Sequence, residues 1–177
     1  MRLVPHTLIS VVAGGLALSI VIEAQSTPSS ARSETRIQLA NVLLGDQRYW
    51  EAISVYDQAK RGATKEQLIR AVTGMLKALL PVAEFTRAQQ EAEYLHELAP
   101  RDPEVLALNG DALWAGGVFD EAEQVYRDVL AIDPQSGGGR NGLAKSLVTR
   151  NQYDEAMDWV QAAIAVSPEV ANFYHTL

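Results

Sequence analysis

The sequence predicts an all-α fold, a solenoid of stacked helical pairs. Three observations predict it. An alanine recurs at Ala52, Ala88, Ala122 and Ala156, at intervals of 36, 34 and 34 residues. A leucine stands nine residues before each (Leu43, Leu79, Leu113, Leu147), and an aromatic three before each (Tyr49, Phe85, Phe119, Tyr153). A proline stands twelve residues after three of them (Pro100, Pro134, Pro168), with Thr64 at that place in the first unit.

Each recurrence has a mechanical reading. The leucine and the residue three before it (Ala40, Leu76, Gly110, Ala144) share one face of a first helix, one turn apart. The aromatic opens a second helix and is expected to pack into that face. The alanine lets the two helices approach. The proline forbids extension of the second helix and forces the residue before it out of the helical region. Helices of about 13 residues, roughly 20 Å long, cannot bury one face alone. Stacking on the next pair completes the core.

Met1 to Ile22 carries one arginine and no further charge until Glu23. Its apolar core, Leu8 to Ile22, is 15 residues long, the length of a signal-peptide core and short for a membrane span. Residues 1–24 are read either as a signal peptide, cleaved near Ala24-Gln25-Ser26, or as a retained anchor through residues 3–22 with Met1 in the cytoplasm. Either reading exports the repeat body. Residues 25–32 read as a polar, serine-rich linker.

The first helix is expected to start at Ser33, as its cap, and to end at Gly45-Asp46. The second runs from Tyr49 to Gly62. Thr64 with Gln67 has the form of a capping box, and the two extra residues of the first interval fall beside it. Pro81 closes the third helix. Asp102-Pro103 caps and opens the fifth. Gly137, Gly138 and Gly139 weaken a first turn by roughly 1 kcal/mol each, and read as a flexible inter-repeat turn. GGGRNGLAKS is no phosphate loop, because Lys145 does not follow the second glycine and no strand precedes it. The final residues 171–177 start a further first helix. They leave Phe173, Tyr174 and Leu177 with little polar cover, as in a poor cap or a piece of a longer array.

The spacing resembles the tetratricopeptide repeat, whose pattern runs W-x2-L-G-x2-Y, then A-x3-F, A and P. Four repeats match, at about 33–66, 69–102, 103–136 and 137–170, with a partial fifth at 171–177 and a repeat domain over 33–177. Leu106 and Arg140 replace the usual tryptophan, and Asn109 a leucine. The second repeat departs furthest, with Leu76 at a small-residue position. The resemblance implies a right-handed superhelix.

The chain is 47% hydrophobic and 21% charged, with a net charge of −7. An acidic body disfavours nucleic acid as the main partner. Cysteine is absent, which excludes disulfides, zinc thiolates and a thiol nucleophile. His6, His96 and His175 lie in different regions, and no metal-ligand or nucleophile motif accompanies them. The reading is no enzyme and no cofactor.

In tetratricopeptide arrays the first helices line a concave wall that holds partner peptides or helices. The resemblance places Ile37, Asn41, Arg70, Thr73, Lys77, Ala107, Asp111, Trp114, Asn141 and Lys145 on that wall. Trp114 is either an anchor for a partner or packing for the next repeat. Arg70, Lys77 and Lys145 are either a basic stripe or ordinary solvated charges. The chaperone-tail-binding subset clamps a carboxylate from positions that here read Ile37, Asn41, Gly74, Glu104 and Leu108, of which only Asn41 fits. The expected function is a non-catalytic scaffold of a bacterial-type envelope, periplasmic or inner-membrane-anchored, in assembly of a surface, secretion or export system. The alternative is an accessory subunit of an enzyme complex, such as cytochrome c maturation, that presents a substrate protein.

Overall fold

The computed structural model describes residues 29–166 and Pro168. Among them are eight α-helices and no strand: α1 (Ser29–Gly45), α2 (Tyr49–Ala59), α3 (Lys65–Leu79), α4 (Phe85–Leu98), α5 (Pro103–Ala115), α6 (Phe119–Ile132), α7 (Gly137–Thr149) and α8 (Tyr153–Val166). Each helix packs on the next in sequence. The odd-numbered first helices also touch one another, α1 on α3 and α5 on α7, more sparsely α3 on α5. That is the contact pattern of a solenoid built from helical pairs. The expected signal segment, residues 1–24, and the partial fifth repeat lie outside the described residues.

Short polar side chains start the first helices. The Thr64 side chain accepts from Gln67 N while the Gln67 side chain accepts from Thr64 N, a complete capping box. Asp102 accepts from Glu104 N and Val105 N, with Pro103 in the first turn. Ser136 accepts from Gly139 N. Helices α2, α4 and α6 start without a side-chain cap.

Three boundaries differ from the sequence reading. Helix α1 begins at Ser29, inside the expected linker 25–32, and Ser33 is not its cap. Ser33 is buried, and its hydroxyl donates to the Arg61 carbonyl at 3.3 Å. Helix α2 ends at Ala59, and Gly62 (φ +77°) belongs to the turn beyond it. Gly137 to Gly139 are not a loose connector but the first turn of α7. Close approach explains the second and third: a Cβ on Gly138 would fall 2.9 Å from Ala107 Cβ, and one on Gly139 2.8 Å from Val129.

The recurring alanines Ala52, Ala88, Ala122 and Ala156 are all buried, as their helix-spacer role requires. The leucine spine comes in two halves: Leu43 and Leu79 belong to an N-terminal apolar cluster, Leu113 and Leu147 to a C-terminal one. Of the aromatics that open the second helices, Tyr49 packs half-buried against the N-terminal cluster, whereas the other three lie largely in the open. Phe85, Phe119 and Tyr153 are 38%, 44% and 60% exposed. The buried aromatics are instead Tyr56 and Tyr126, each four residues after a recurring alanine. They sit where a helix faces both its own partner and the next repeat.

Candidate protein-interaction groove

Two rows of side chains run across the first helices in one register. Eighteen residues before the recurring alanines stand Glu34, Arg70 and Glu104; eleven before stand Asn41, Lys77, Asp111 and Lys145. Both offsets fall on the same side of a helix. Stacking brings these rows together into a ladder of ion pairs between successive first helices. Arg70 Nη1 lies 3.0 Å from Glu34 Oε1, joining α3 to α1. Lys77 Nζ lies 2.8 Å from Glu104 Oε1, joining α3 to α5. Lys145 Nζ lies 2.9 Å from Asp111 Oδ1, joining α7 to α5.

Two tyrosines reach the same rows from behind. The Tyr56 hydroxyl of α2 donates to Asn41 Oδ1 at 2.6 Å. The Tyr126 hydroxyl of α6 donates to Asp111 Oδ1 at 2.9 Å. Glycines of the first helices make room for the rings: a Cβ on Gly74 would fall 2.2 Å from the Tyr56 hydroxyl oxygen, and one on Gly110 2.6 Å from the Tyr126 ring. Burial pushes the Tyr56 hydroxyl up to about 12. Burial, then the Asp111 charge, pushes Tyr126 up as well. Both stay protonated donors at neutral pH. Hydrogen bonds from Arg70, then Gln67, hold the Glu34 carboxyl down to about 2.

Trp114 stands at the end of α5, half-buried against the C-terminal cluster. Phe119 meets it edge-on, with ring centroids 5.8 Å apart at 65°. Lys145 Nζ lies 5.9 Å from the indole centroid, within cation–π range. Its indole Nε1 is buried and has no hydrogen-bond partner among the described residues.

The nominated wall residues therefore divide. Asn41, Arg70, Lys77, Asp111, Trp114 and Lys145 belong to one connected surface. Thr73 is half-buried on the same helix as Arg70 and Lys77. Ile37, 1% exposed, is core rather than wall, because α1 turns it onto α2 and α3. Ala107 and Asn141 are buried too, where first helices of adjacent repeats close on each other. The three cations Arg70, Lys77 and Lys145 are each paired with a carboxylate. Glu34, Glu104 and the two tyrosines were missed. A signal existed for the tyrosines: beyond Tyr56 and Tyr126, Gly74 and Gly142 each stand fourteen residues before the next recurring alanine. Among the described residues no group of three or more His, Asp or Glu side chains is placed to hold a metal ion.

Two family models of the tetratricopeptide repeat match, over residues 76–137 and 113–176. Together they span more than half of the chain. Among solved structures, TTC0263, a thermophilic tetratricopeptide-repeat protein of Thermus thermophilus, superposes with a TM-score of 0.68 at 16% identity, over 81% of this chain and 82% of that one. MamA residues 41-end from Desulfovibrio magneticus RS-1 give 0.61 at 16% identity, over 78% and 77%. YrrB, described as a tetratricopeptide-repeat protein with an unusual peptide-binding site, gives 0.58 at 21% identity, over 94% and 84%. No curated protein sequence matches. At these identities the structural likenesses speak for the fold alone. The family models, the helix-pair register and the buried alanines agree: the chain belongs to the tetratricopeptide-repeat family.

Proposed function

We propose that this chain is a non-catalytic scaffold that holds a partner peptide or helix against its inner wall, in the envelope of a bacterial-type cell. One observation carries the reading. The first helices bring Trp114, Lys145 and Asp111 from two repeats into one patch, with a large aromatic beside a fixed ion pair. Half-buried aromatics held by neighbours are the usual anchors of protein interfaces. The other charges of the wall neutralise one another. The partner is therefore recognised chiefly by an apolar anchor on Trp114 with polar contacts around it, and not by a run of charge. YrrB, with the same fold, is described as having a peptide-binding site, which supports a peptide as the occupant.

Export rests on the apolar run Leu8 to Ile22 behind a single arginine. Among the described residues no helix is long and apolar enough to cross a membrane. Within that envelope reading, the role is the assembly of a surface, secretion or export system, and the repeat fold that holds protein partners supports it.

The test is site-specific crosslinking of the full chain in its own cells. A photoreactive residue at Lys77, on the wall, captures a discrete envelope protein, while one at Ser54, on the exposed side of α2, does not. Capture only from Ser54 overturns the groove. Recovery of the chain from the cytosol with its first residues intact overturns the envelope assignment.

A further inference from the structure

The seams between successive repeats are not filled alike. Between α2 and α3, Ile53, Tyr56, Met75 and Leu79 are buried together. Between α6 and α7, Tyr126 and Leu143 are buried, and Glu123 is clamped. Arg127 Nη2 bonds Glu123 Oε1 at 2.6 Å; Arg150 Nη2 lies 2.7 Å from Glu123 Oε2, close enough for charge attraction though outside hydrogen-bond geometry. Between α4 and α5 the same register reads Gln89, Ala92, Glu93, Asn109, Ala112 and Leu113, and these six line a hollow of about 180 Å³.

The chemistry of this hollow is uneven. Ala92, Ala112 and Leu113 give it an apolar floor. Gln89, Glu93 and Asn109 bring two amides and a carboxylate, and none of the three makes a hydrogen bond or ion pair with a described residue. Elsewhere on the seams carboxylates are paired: Glu91 with Lys60, Glu123 with its two arginines, Asp111 with Lys145. Family repeats carry leucine where Asn109 stands, so a core position has become polar at this hollow. By helix geometry Asn109 stands about 200° round α5 from Asp111, so the hollow opens away from the inner wall.

We propose that the α4–α5 hollow, where Gln89, Glu93 and Asn109 converge over Ala92 and Leu113, binds the side chain of an arginine from a partner protein. A guanidinium carries a fixed charge and five N–H donors on an aliphatic stem. The stem covers the apolar floor, the charge meets Glu93, and the two amide oxygens accept the remaining donors. The volume holds one long side chain and falls short of the roughly 300–1,000 Å³ of a small-molecule site. The net charge of −7 favours approach of a cationic segment. This contact is separate from the Trp114 patch and does not depend on it.

The experiment is an NMR titration of the ¹⁵N-labelled full chain with N-acetyl-arginine amide, with the citrulline analogue as a neutral twin. Saturable shifts at the Gln89 and Asn109 side-chain amides are expected with arginine. They weaken by about tenfold or more with citrulline, and the Gln89 shift weakens likewise in the Asn109→Leu variant, which fills the hollow with the family residue. Helical circular dichroism and the Tm of Asn109→Leu check that the variant is folded. Shifts of equal size with citrulline, shifts that persist in Asn109→Leu, or no saturable shift at the solubility limit each overturn the site. Glu93→Gln is the second variant: it leaves the hollow open, and undiminished arginine binding there overturns the role of the carboxylate.

Discussion

The Tyr126 ring and Gly142 occupy one space: a Cβ built on Gly142 would fall 2.1 Å from Cδ1 and Cε1 of the ring. Tyr126 belongs to one repeat and Gly142 to the next, so the missing side chain is what lets the repeats close. The second repeat solves the same problem in reverse. Ala92 stands where the tyrosine would be and Leu108 where the glycine would be, and both are buried. Bulk has moved across the seam. Alanine in place of glycine inside a helix normally stabilises by up to about 1 kcal/mol. Here Gly142→Ala is expected to destabilise by about 1–3 kcal/mol, because the overlap is with a ring that is itself fixed. The double change Tyr126→Ala with Gly142→Leu, which copies the second repeat, should cost less than the sum of its parts. Urea unfolding of Gly142→Ala, of Tyr126→Ala, of Gly142→Leu and of the double variant checks both statements, and strict additivity would refute the second.

Asp111 serves two donors at once, the Tyr126 hydroxyl and Lys145 Nζ, each at 2.9 Å. Asp111→Ala leaves a buried hydroxyl and a half-buried ammonium without an acceptor, which costs about 1–3 kcal/mol. Asp111→Asn should recover much of this, since Asn41 already accepts from Tyr56 through an amide oxygen. Lys77→Ala removes a pair whose two ends are both exposed, and is expected to change stability by less than about 0.5 kcal/mol. The order Asp111→Ala, Asp111→Asn, Lys77→Ala in unfolding midpoint is the checkable result.

Helix pairing was legible because punctuation and period carry it. Thr64, Asp102 and Pro103 mark helix starts through local hydrogen bonds and a fixed φ, which need no knowledge of the rest of the molecule. The leucine and alanine recurrence marks the inward face by helical period alone. Contacts between repeats were less legible. Glu34 and Arg70 stand 36 residues apart, and whether they meet depends on how far each pair is rotated against the next. Period cannot report that rotation. For the same reason the projected repeat pattern puts Ile37 on the wall, although it faces the core. Ser33 has the right side chain for a cap, but burial against Arg61 gives it a tertiary partner instead.

Glu34 sets a pH dependence with a defined sign. The Arg70 hydrogen bonds lower its carboxyl from 4.5 to about 2 in the folded chain. A depressed acid stabilises the fold above its ordinary value and stops doing so as pH falls toward the folded value. The stability gap between the parent chain and Glu34→Gln is therefore present at neutral pH, shrinks below pH 4.5, and is nearly gone at about pH 2. The pair is open to solvent, so added salt narrows the gap as well. Urea midpoints of both chains at several pH values decide it. A gap that widens on acidification would contradict the assignment.

The turn inside each repeat repeats one backbone conformation with four different residues. Five residues before the recurring alanines, Gln47 (φ 58°), Ala83 (φ 60°), Gly117 (φ 84°) and Asn151 (φ 60°) are all left-handed. Glycine adopts this region freely, and asparagine tolerates it. For Ala83 it costs roughly 1–2 kcal/mol, because the methyl group crowds the following carbonyl. Glycine there also loosens the unfolded chain, which opposes the gain by about 0.4–1 kcal/mol. The net expectation for Ala83→Gly is a gain of about 0.5–1 kcal/mol, with Asn151→Gly gaining less. Gly117→Ala should lose a similar amount, since nothing lies within 4 Å of its would-be Cβ and only the backbone conformation opposes it. Thermal unfolding of the three variants tests the sign at each position. Destabilisation by Ala83→Gly would mean that the left-handed turn carries no strain.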